Sequence, residues 1–229
     1  MQPPTQHPAR TAAALLALFL ALLSLVAAHW GPLISTDRDI AVTLHRSALA
    51  HDGWTRTSRV LTDWVWDPLT MRALLAVVAG WLLWRREWLL TAWIVGTAIV
   101  GAALQQGVKA AVDRPRPHWA HPVDTAHYAA FPSGHALTAT LACGLVLWVM
   151  TLHGAATKWL RLAAAVAVVS VLGVGFTRLY LGVHWAGDVL GGWLLGAALV
   201  YAAIAGYAYA SRPKDERAGA PDGDGRARS

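Results

Sequence analysis

Apolar residues are grouped along the chain into six long runs separated by short polar stretches. A transmembrane α-helix needs roughly 20 mostly apolar residues to cross the hydrocarbon layer, and somewhat fewer where neighbouring helices or the interface help. The pattern therefore predicts an all-α integral membrane bundle of six transmembrane helices. The predicted spans are 11–28, 69–84, 88–111, 136–152, 160–176 and 189–210, of which the second and fifth are short.

Composition supports lipid as the solvent of these helices. Apolar residues make up 56% of the chain and charged residues 14%, which is unusual for a water-soluble domain. Many of the 13 tryptophans flank the runs, as an interfacial aromatic belt requires. These flanking residues are Trp30, Trp66, Trp84, Trp88, Trp159 and Trp185. Buried helices of a soluble protein are the alternative, and six such runs in 229 residues argue against it.

The two ends of the chain differ in character. The first run follows Arg10 and ends in small residues, so it has features of a cleaved signal peptide as well as of a retained span, which we favour. The segment 211–229 is charged and rich in Pro and Gly, which predicts a disordered cytoplasmic tail. We therefore expect one six-span domain at 1–210, with its candidate chemistry at 109–188.

Charge distribution gives the predicted orientation in the membrane. With a cytoplasmic amino terminus, ten Lys and Arg residues lie inside and nine outside, four of the nine in two short motif-like stretches. The net charge of +6 follows from this distribution and gives no case for a nucleic-acid partner. In the outer connection 29–68, apolar and charged residues alternate irregularly, which predicts an amphipathic helix pair in the interface.

The segment KAAVDRPRP ends the third run with basic residues. Lys109 precedes Arg116 by roughly two helical turns, and Pro115 and Pro117 end the helix around them. Ionisable residues at membrane depth are costly and usually mark a site. Binding of lipid headgroups is the alternative, and it suits Arg114 as well as Arg116.

The segment FPSGHA opens the fourth run. Ser133 is predicted to cap the helix, whose free N–H groups attract anions, and His135 falls in the first turn. A capping serine with a bystander histidine is the alternative.

The segment TRLYLGVHWAGD precedes the last run. Asp188 follows His184 by four residues, so on a helix the carboxylate would orient one imidazole nitrogen and leave the other free to attack. A purely structural His–Asp pair is the alternative.

All three segments lie on the same predicted membrane face, and together they supply the parts of phosphoryl transfer. The cations of Lys109, Arg116 and Arg178, with the backbone of Ser133 and Gly134, would hold a phosphate, while His184 attacks and His135 protonates the leaving oxygen. No acidic cluster suggests a metal ion, and the spacing of His118, His121 and His127 is too loose for a convincing metal site. We therefore expect no metal and no cofactor.

These motifs resemble those of the type 2 phosphatidic acid phosphatases, a family related to the vanadium haloperoxidases. The family patterns K-x6-R-P, P-S-G-H and S-R-x5-H-x3-D match in order, with Thr177 in place of the serine. The resemblance covers about a third of the chain. It implies a metal-independent lipid phosphatase in which His184 forms a phosphohistidine, Asp188 orients it and His135 is the proton donor.

The resemblance implies a lipid phosphate that enters from the bilayer and a multi-pass protein of the cell membrane whose site faces outside the cytoplasm. Phosphatidic acid, phosphatidylglycerophosphate and undecaprenyl diphosphate are the candidate substrates, and no protein partner is predicted. A vanadate-dependent haloperoxidase and a non-catalytic lipid binder or transporter are the alternative functions.

Overall fold

The computed structural model describes residues 6–211, and this part of the chain forms eight α-helices and one π-helical turn, with no β-strand. The helices are α1 (Gln6–Ala27), α2 (Gly31–Ala50), α3 (Asp52–Val60), α4 (Pro68–Trp84), α5 (Trp88–Val112), α6 (Gly134–Leu152), α7 (Thr157–Tyr180) and α8 (Ala186–Ala210). Apart from Ser211, the predicted disordered tail at 211–229 lies outside the described residues.

Six segments are long and apolar enough to cross a membrane, which confirms the predicted all-α, six-span architecture. They are His7–Ala27, Asp52–Trp84, Trp88–Val112, Gly134–Leu152, Thr157–Tyr180 and Ala186–Ala210. The second segment begins well before the predicted span at 69–84, because α3 and the π-helical turn Leu61–Val65 lead directly into α4. The short apolar run at 69–84 is thus extended at its amino-terminal end by the polar helix α3.

The connection 29–68 contains the predicted pair of helices. Thr55 donates a hydrogen bond from its hydroxyl to the carbonyl of Ala48 at 2.7 Å and so ties α3 to the end of α2. Helix α3 runs on into the second apolar segment, whose 33 residues are more than a span needs, so its position relative to the interface stays a prediction. The interfacial position of α2 also stays a prediction.

Close packing of α6 against α8 brings the candidate motifs together. A Cβ atom on Gly192 would lie 2.6 Å from the Ser133 carbonyl oxygen, and one on Gly196 would lie 2.9 Å from that of Leu137. Small residues at a helix crossing allow two backbones to approach this closely. The amide of Ser133 also donates to the carbonyl of Asp188 at 2.9 Å, so the starts of the two helices are joined directly.

Helix α1 packs along α8 and completes this side of the bundle. Phe19, Leu22 and Val26 are buried there, and the ring of Phe19 stacks on Phe131 with centroids 5.9 Å apart. Phe131 immediately precedes the PSGH segment, so α1 supports the backbone from which α6 begins.

Candidate active site

A polar cavity of about 200 Å³ lies where α5 and α7 end and α6 begins. Six of the eight predicted site residues line it: Lys109, Arg116, Gly134, His135, Arg178 and His184. The other two, Ser133 and Asp188, are fully buried beside it. Residues that are far apart in the sequence therefore share one site, as predicted.

The imidazole of His184 is held between a carboxylate and a guanidinium. Its Nδ1 lies 3.2 Å from Oδ2 of Asp188, and its Nε2 lies 3.1 Å from a terminal nitrogen of Arg116. A guanidinium can only donate hydrogen bonds, so Nε2 accepts and the ring proton of the neutral imidazole lies on Nδ1. This is the tautomer in which Nε2 carries the lone pair needed for attack.

The His–Asp contact does not arise from a shared helical face, and that part of the sequence prediction was wrong. His184 lies in the turn before α8, Trp185 is the N-cap residue and Asp188 occupies the third helical position. Oδ2 of Asp188 accepts from the amide of Trp185 at 2.9 Å as well as facing His184. One carboxylate thus caps the helix and orients the histidine, because the turn folds His184 back over the helix start.

Burial and neighbouring cations keep His184 unprotonated. The side chain is 2% exposed, and this desolvation holds the pKa of His184 well below its usual range. The charges of Arg116, Arg178 and Lys109 lower the pKa further. The imidazole is therefore a neutral base near pH 7, ready to act as a nucleophile.

Backbone carbonyls of the connection after α5 and of the turn before α8 hold two of the cations. Lys109 donates from Nζ to the carbonyl of Ala129. Arg116 donates from Nε to Tyr128 at 2.8 Å and from a terminal nitrogen to Val183 at 2.6 Å. These partners are neutral, so the positive charges of both side chains remain available to an anion in the cavity.

Arg178 is the most deeply buried cation of the cavity, with 4% of its surface exposed. One terminal nitrogen lies 3.4 Å from the hydroxyl of Thr62 and 3.8 Å from Oδ2 of Asp124. Its Nε has no hydrogen-bond partner among the described residues. A buried donor left without a partner is costly, so an anion bound here would satisfy it.

Ser133 occupies the N-cap position of α6 but does not cap the helix, so the predicted capping bond is absent. Its hydroxyl is fully buried and has no partner within the described part of the chain. The amides at the start of α6 thus remain uncapped by this side chain, as an anion site at a helix N-terminus requires.

His135 lies in the first turn of α6 and lines the cavity, as predicted. Its ring is partly exposed and makes no hydrogen bond to any described residue. It is therefore free to exchange a proton with a bound group. His127 also lines the cavity, whereas His118 and His121 do not, and the described residues include no group of three or more His, Cys, Asp or Glu placed to hold a metal ion.

Sequence reasoning missed two residues that belong to the site. Arg114, which occupies one of the six unspecified positions between Lys109 and Arg116, is 7% exposed. It donates to Oδ1 of Asp188 at 2.7 Å and to Oδ2 of Asp37 at 2.6 Å. Binding of Arg114 to lipid headgroups is therefore ruled out in this structure. No local signal marks Asp37, which lies 77 residues from Arg114 in the chain.

Comparison with known proteins gives a family match and several relatives. The family model described as PAP2 superfamily matches residues 88–212. Phosphatidylglycerophosphatase B of Bacillus subtilis (strain 168) is 30% identical over 190 residues, which cover 80% of this chain and 90% of that protein. An undecaprenyl-diphosphatase of Sulfolobus acidocaldarius is 34% identical over 74 residues, or 32% of each chain.

A similar fold is found among solved structures. The crystal structure of a transmembrane PAP2 type phosphatidylglycerolphosphate phosphatase from Bacillus subtilis superposes with a TM-score of 0.76 at 24% identity. The match covers 89% of this chain and 98% of that one, so the agreement extends over the whole bundle.

Proposed function

Because the chain belongs to the PAP2 superfamily and is a membrane lipid phosphatase of that family, we propose that His184 attacks a lipid phosphate and forms a phosphohistidine. The observation that carries this proposal is the pair of contacts that place the His184 proton on Nδ1 and leave Nε2 with its lone pair facing Arg116. A neutral imidazole held in this tautomer has the form of an activated nucleophile.

In the first step, Nε2 of His184 bonds to phosphorus as the bond between phosphorus and the leaving oxygen breaks. The leaving oxygen belongs to the lipid alcohol in a monoester and to the lipid phosphate in a diphosphate. His135 gives its proton to the departing oxygen, a role that contributes typically 10²–10⁴-fold to rate. The negative charge of Asp188 stabilises the positive charge that develops on the His184 ring.

In the second step, water attacks the phosphohistidine and its proton passes to His135. The P–N bond breaks, inorganic phosphate leaves and His184 returns to its neutral form. Throughout both steps the phosphoryl oxygens face the cations of Lys109, Arg116 and Arg178 and the backbone amide of Gly134. The predicted contact to the amide of Ser133 is wrong, because that amide donates to the Asp188 carbonyl. The three cations and the Gly134 amide neutralise the charge that a metal ion neutralises in other phosphotransferases, so the proposed reaction needs no metal.

The seam between α4 and α5 supports entry of a lipid from the bilayer. Pro68, Gln105 and Gln106 line the catalytic cavity at the top of this seam. The same two helices form a neighbouring groove of about 350 Å³, whose lining includes Leu75, Ile94, Val95, Ala98, Ile99 and Ala102. A tail in this apolar groove would leave its phosphate at the polar cavity.

Phosphatidylglycerophosphate is the first substrate to test. The relative named as a phosphatidylglycerophosphatase aligns over 90% of its length, whereas the undecaprenyl-diphosphatase aligns over 32%. We propose that the site faces outside the cytoplasm, as the distribution of basic residues predicts.

The test is phosphate release by the purified protein in detergent from phosphatidylglycerophosphate, phosphatidic acid, lysophosphatidic acid and undecaprenyl diphosphate. We expect release from at least one lipid, with phosphatidylglycerophosphate giving the highest kcat/KM. His184→Ala protein prepared in parallel is the control for contaminating phosphatases. Equal rates with the wild type and His184→Ala would overturn the proposed function, and comparable rates on all four lipids would overturn the substrate preference.

A further inference from the structure

Four buried side chains form a row that ends at the nucleophile: Asp37, Arg114, Asp188 and His184. Arg114 donates to Asp37 at 2.6 Å and to Asp188 at 2.7 Å, and Asp188 faces His184 at 3.2 Å. Asp37 is 1% exposed and Asp188 0% exposed. Ion pairs removed from water this completely interact more strongly than surface pairs, and a lost partner leaves an uncompensated charge.

Asp37 also fixes the backbone that carries Asp188. Its Oδ1 accepts a hydrogen bond from the amide of Gly187 at 2.8 Å. A Cβ atom on Gly187 would lie 3.1 Å from the Asp37 carboxylate, so the two elements are in tight contact. Helix α2 is therefore tied to the first turn of α8 immediately before the residue that orients His184.

The charges of the row explain why two carboxylates share one guanidinium. If Arg114 paired with Asp188 alone, its positive charge would cancel the negative charge that must stabilise the His184 ring. Asp37 balances the guanidinium, so the three charged groups carry a net charge of about −1 at neutral pH. When the ring becomes positive during attack, the whole row becomes neutral.

We propose that Asp37 and Arg114 are positioning residues that hold Asp188 against His184, with Asp37 cancelling the guanidinium charge so that Asp188 keeps its own for the histidine. This inference rests on the proposed reaction at His184. Neither residue lines the catalytic cavity, although both line a second cavity of about 450 Å³ that also includes Arg116. The positioning role rests on their contacts to the Asp188 carboxylate and the Gly187 amide.

The test compares Asp37→Asn with Asp39→Asn, since Asp39 lies on the same helix but is exposed. For Asp37→Asn we expect a loss of about 10- to 100-fold in kcat, because small displacements of a reacting group have effects of this size, with KM little changed. Asp39→Asn should match the wild type. Thermal midpoints of each variant separate loss of activity from loss of folded protein, and Asp37→Glu, which keeps the charge, should recover part of kcat.

Two further measurements distinguish positioning from a general structural role. In an Asp188→Asn background the Asp37→Asn change should have almost no added effect on kcat, because the group through which it acts is already altered. The ¹⁵N resonance of His184 Nδ1 should shift in Asp37→Asn and not in Asp39→Asn, and this readout needs no turnover.

An unchanged kcat or an unchanged His184 resonance in Asp37→Asn would overturn the inference. An additive loss in the Asp188→Asn background would also overturn it, because Asp37 would then act by another route. If the wild type released no phosphate from any lipid, the proposed function would fail, and the ¹⁵N spectra would still decide whether Asp37 positions His184. If Arg114→Met folds, it should show a larger loss of kcat than Asp37→Asn.

Discussion

Nε2 of His184 accepts a hydrogen bond from Arg116 at 3.1 Å, on the edge of the ring opposite Asp188. The same guanidinium lines the polar cavity. Arg116 therefore fixes the neutral tautomer of His184, and in the proposed reaction it would also lie next to the transferred phosphorus.

Replacement of the proposed nucleophile and of its carboxylate partner should have unequal effects. We expect His184→Ala to abolish turnover, and Asp188→Asn to lower kcat by about 10⁴-fold, the loss seen when an analogous carboxylate no longer selects the histidine tautomer. Trapping with ³²P-labelled lipid should give an acid-labile, alkali-stable label on the wild type. A label of this kind on His184→Ala would contradict the assignment.

The role of His135 can be tested with leaving groups of different basicity. Because His135 is proposed to protonate the departing oxygen, His135→Gln should lower the rate on a lipid alcohol ester by about 10²–10⁴-fold. The loss should be much smaller for an aryl phosphate, whose leaving group needs no proton. Rates of phosphoenzyme formation by rapid quench measure this difference, and an equal loss on both substrates would assign His135 to binding.

Metal independence and the anion site can be tested together. EDTA should leave the rate unchanged, because Lys109, Arg116 and Arg178 are proposed to neutralise the phosphate. Orthovanadate should inhibit competitively, since it adopts the geometry of the transferring phosphoryl group. Loss of activity in EDTA that returns with a divalent cation would refute this proposal.

Gly192 should be intolerant of any side chain. A Cβ atom there would lie 2.6 Å from the Ser133 carbonyl oxygen, and a backbone atom cannot move aside without shifting the start of α6. We expect Gly192→Ala to destabilise the protein by about 1–3 kcal/mol and to lower kcat. Gly96→Ala is the matched control, because nothing lies within 4 Å of its Cβ. Thermal midpoints and rates of phosphate release, measured on both variants, should fall for Gly192→Ala and match the wild type for Gly96→Ala.

An ion pair away from the catalytic cavity should make stability depend on pH. Nε2 of His153 lies 3.0 Å from Glu87, whose hydrogen bond raises the pKa of His153, while the same contact lowers the pKa of Glu87. The histidine contribution is complete below pH 6.5 and is lost as pH rises through its raised pKa. The glutamate contribution is complete above pH 4.5 and is lost as pH falls through its lowered pKa.

The pair should therefore stabilise the protein most between pH 4.5 and 6.5. Both side chains are partly exposed, 21% for His153 and 30% for Glu87, so solvent screening should keep the coupling free energy below about 1 kcal/mol. A double-mutant cycle of Glu87→Gln and His153→Gln, measured as thermal midpoints at pH 5.5 and pH 8.5, should show coupling only at the lower pH. Coupling of equal size at both would contradict the pKa shift of His153.

Several features of the site follow from local sequence alone. The six apolar runs predict the spans because hydrophobicity over roughly 20 residues depends on no distant partner. Spacing within the three motifs identifies His135, His184 and the cavity cations, and their position at run ends places them on one face. Where prediction failed, as for the hydroxyl of Ser133 and the turn that holds His184, the outcome depended on how two helix starts meet.

The sequence by itself thus determined that the chain is a six-span membrane bundle with its candidate site residues at the ends of the apolar runs, since hydrophobicity and short spacing are local properties. The tertiary structure alone decided that Arg114 pairs with Asp188 beside His184 and that Asp37 pairs with the same guanidinium. A buried charge is tolerated only where packing supplies its partner. For Arg114 that partner comes from a helix 77 residues earlier, a distance over which no sequence pattern carries information.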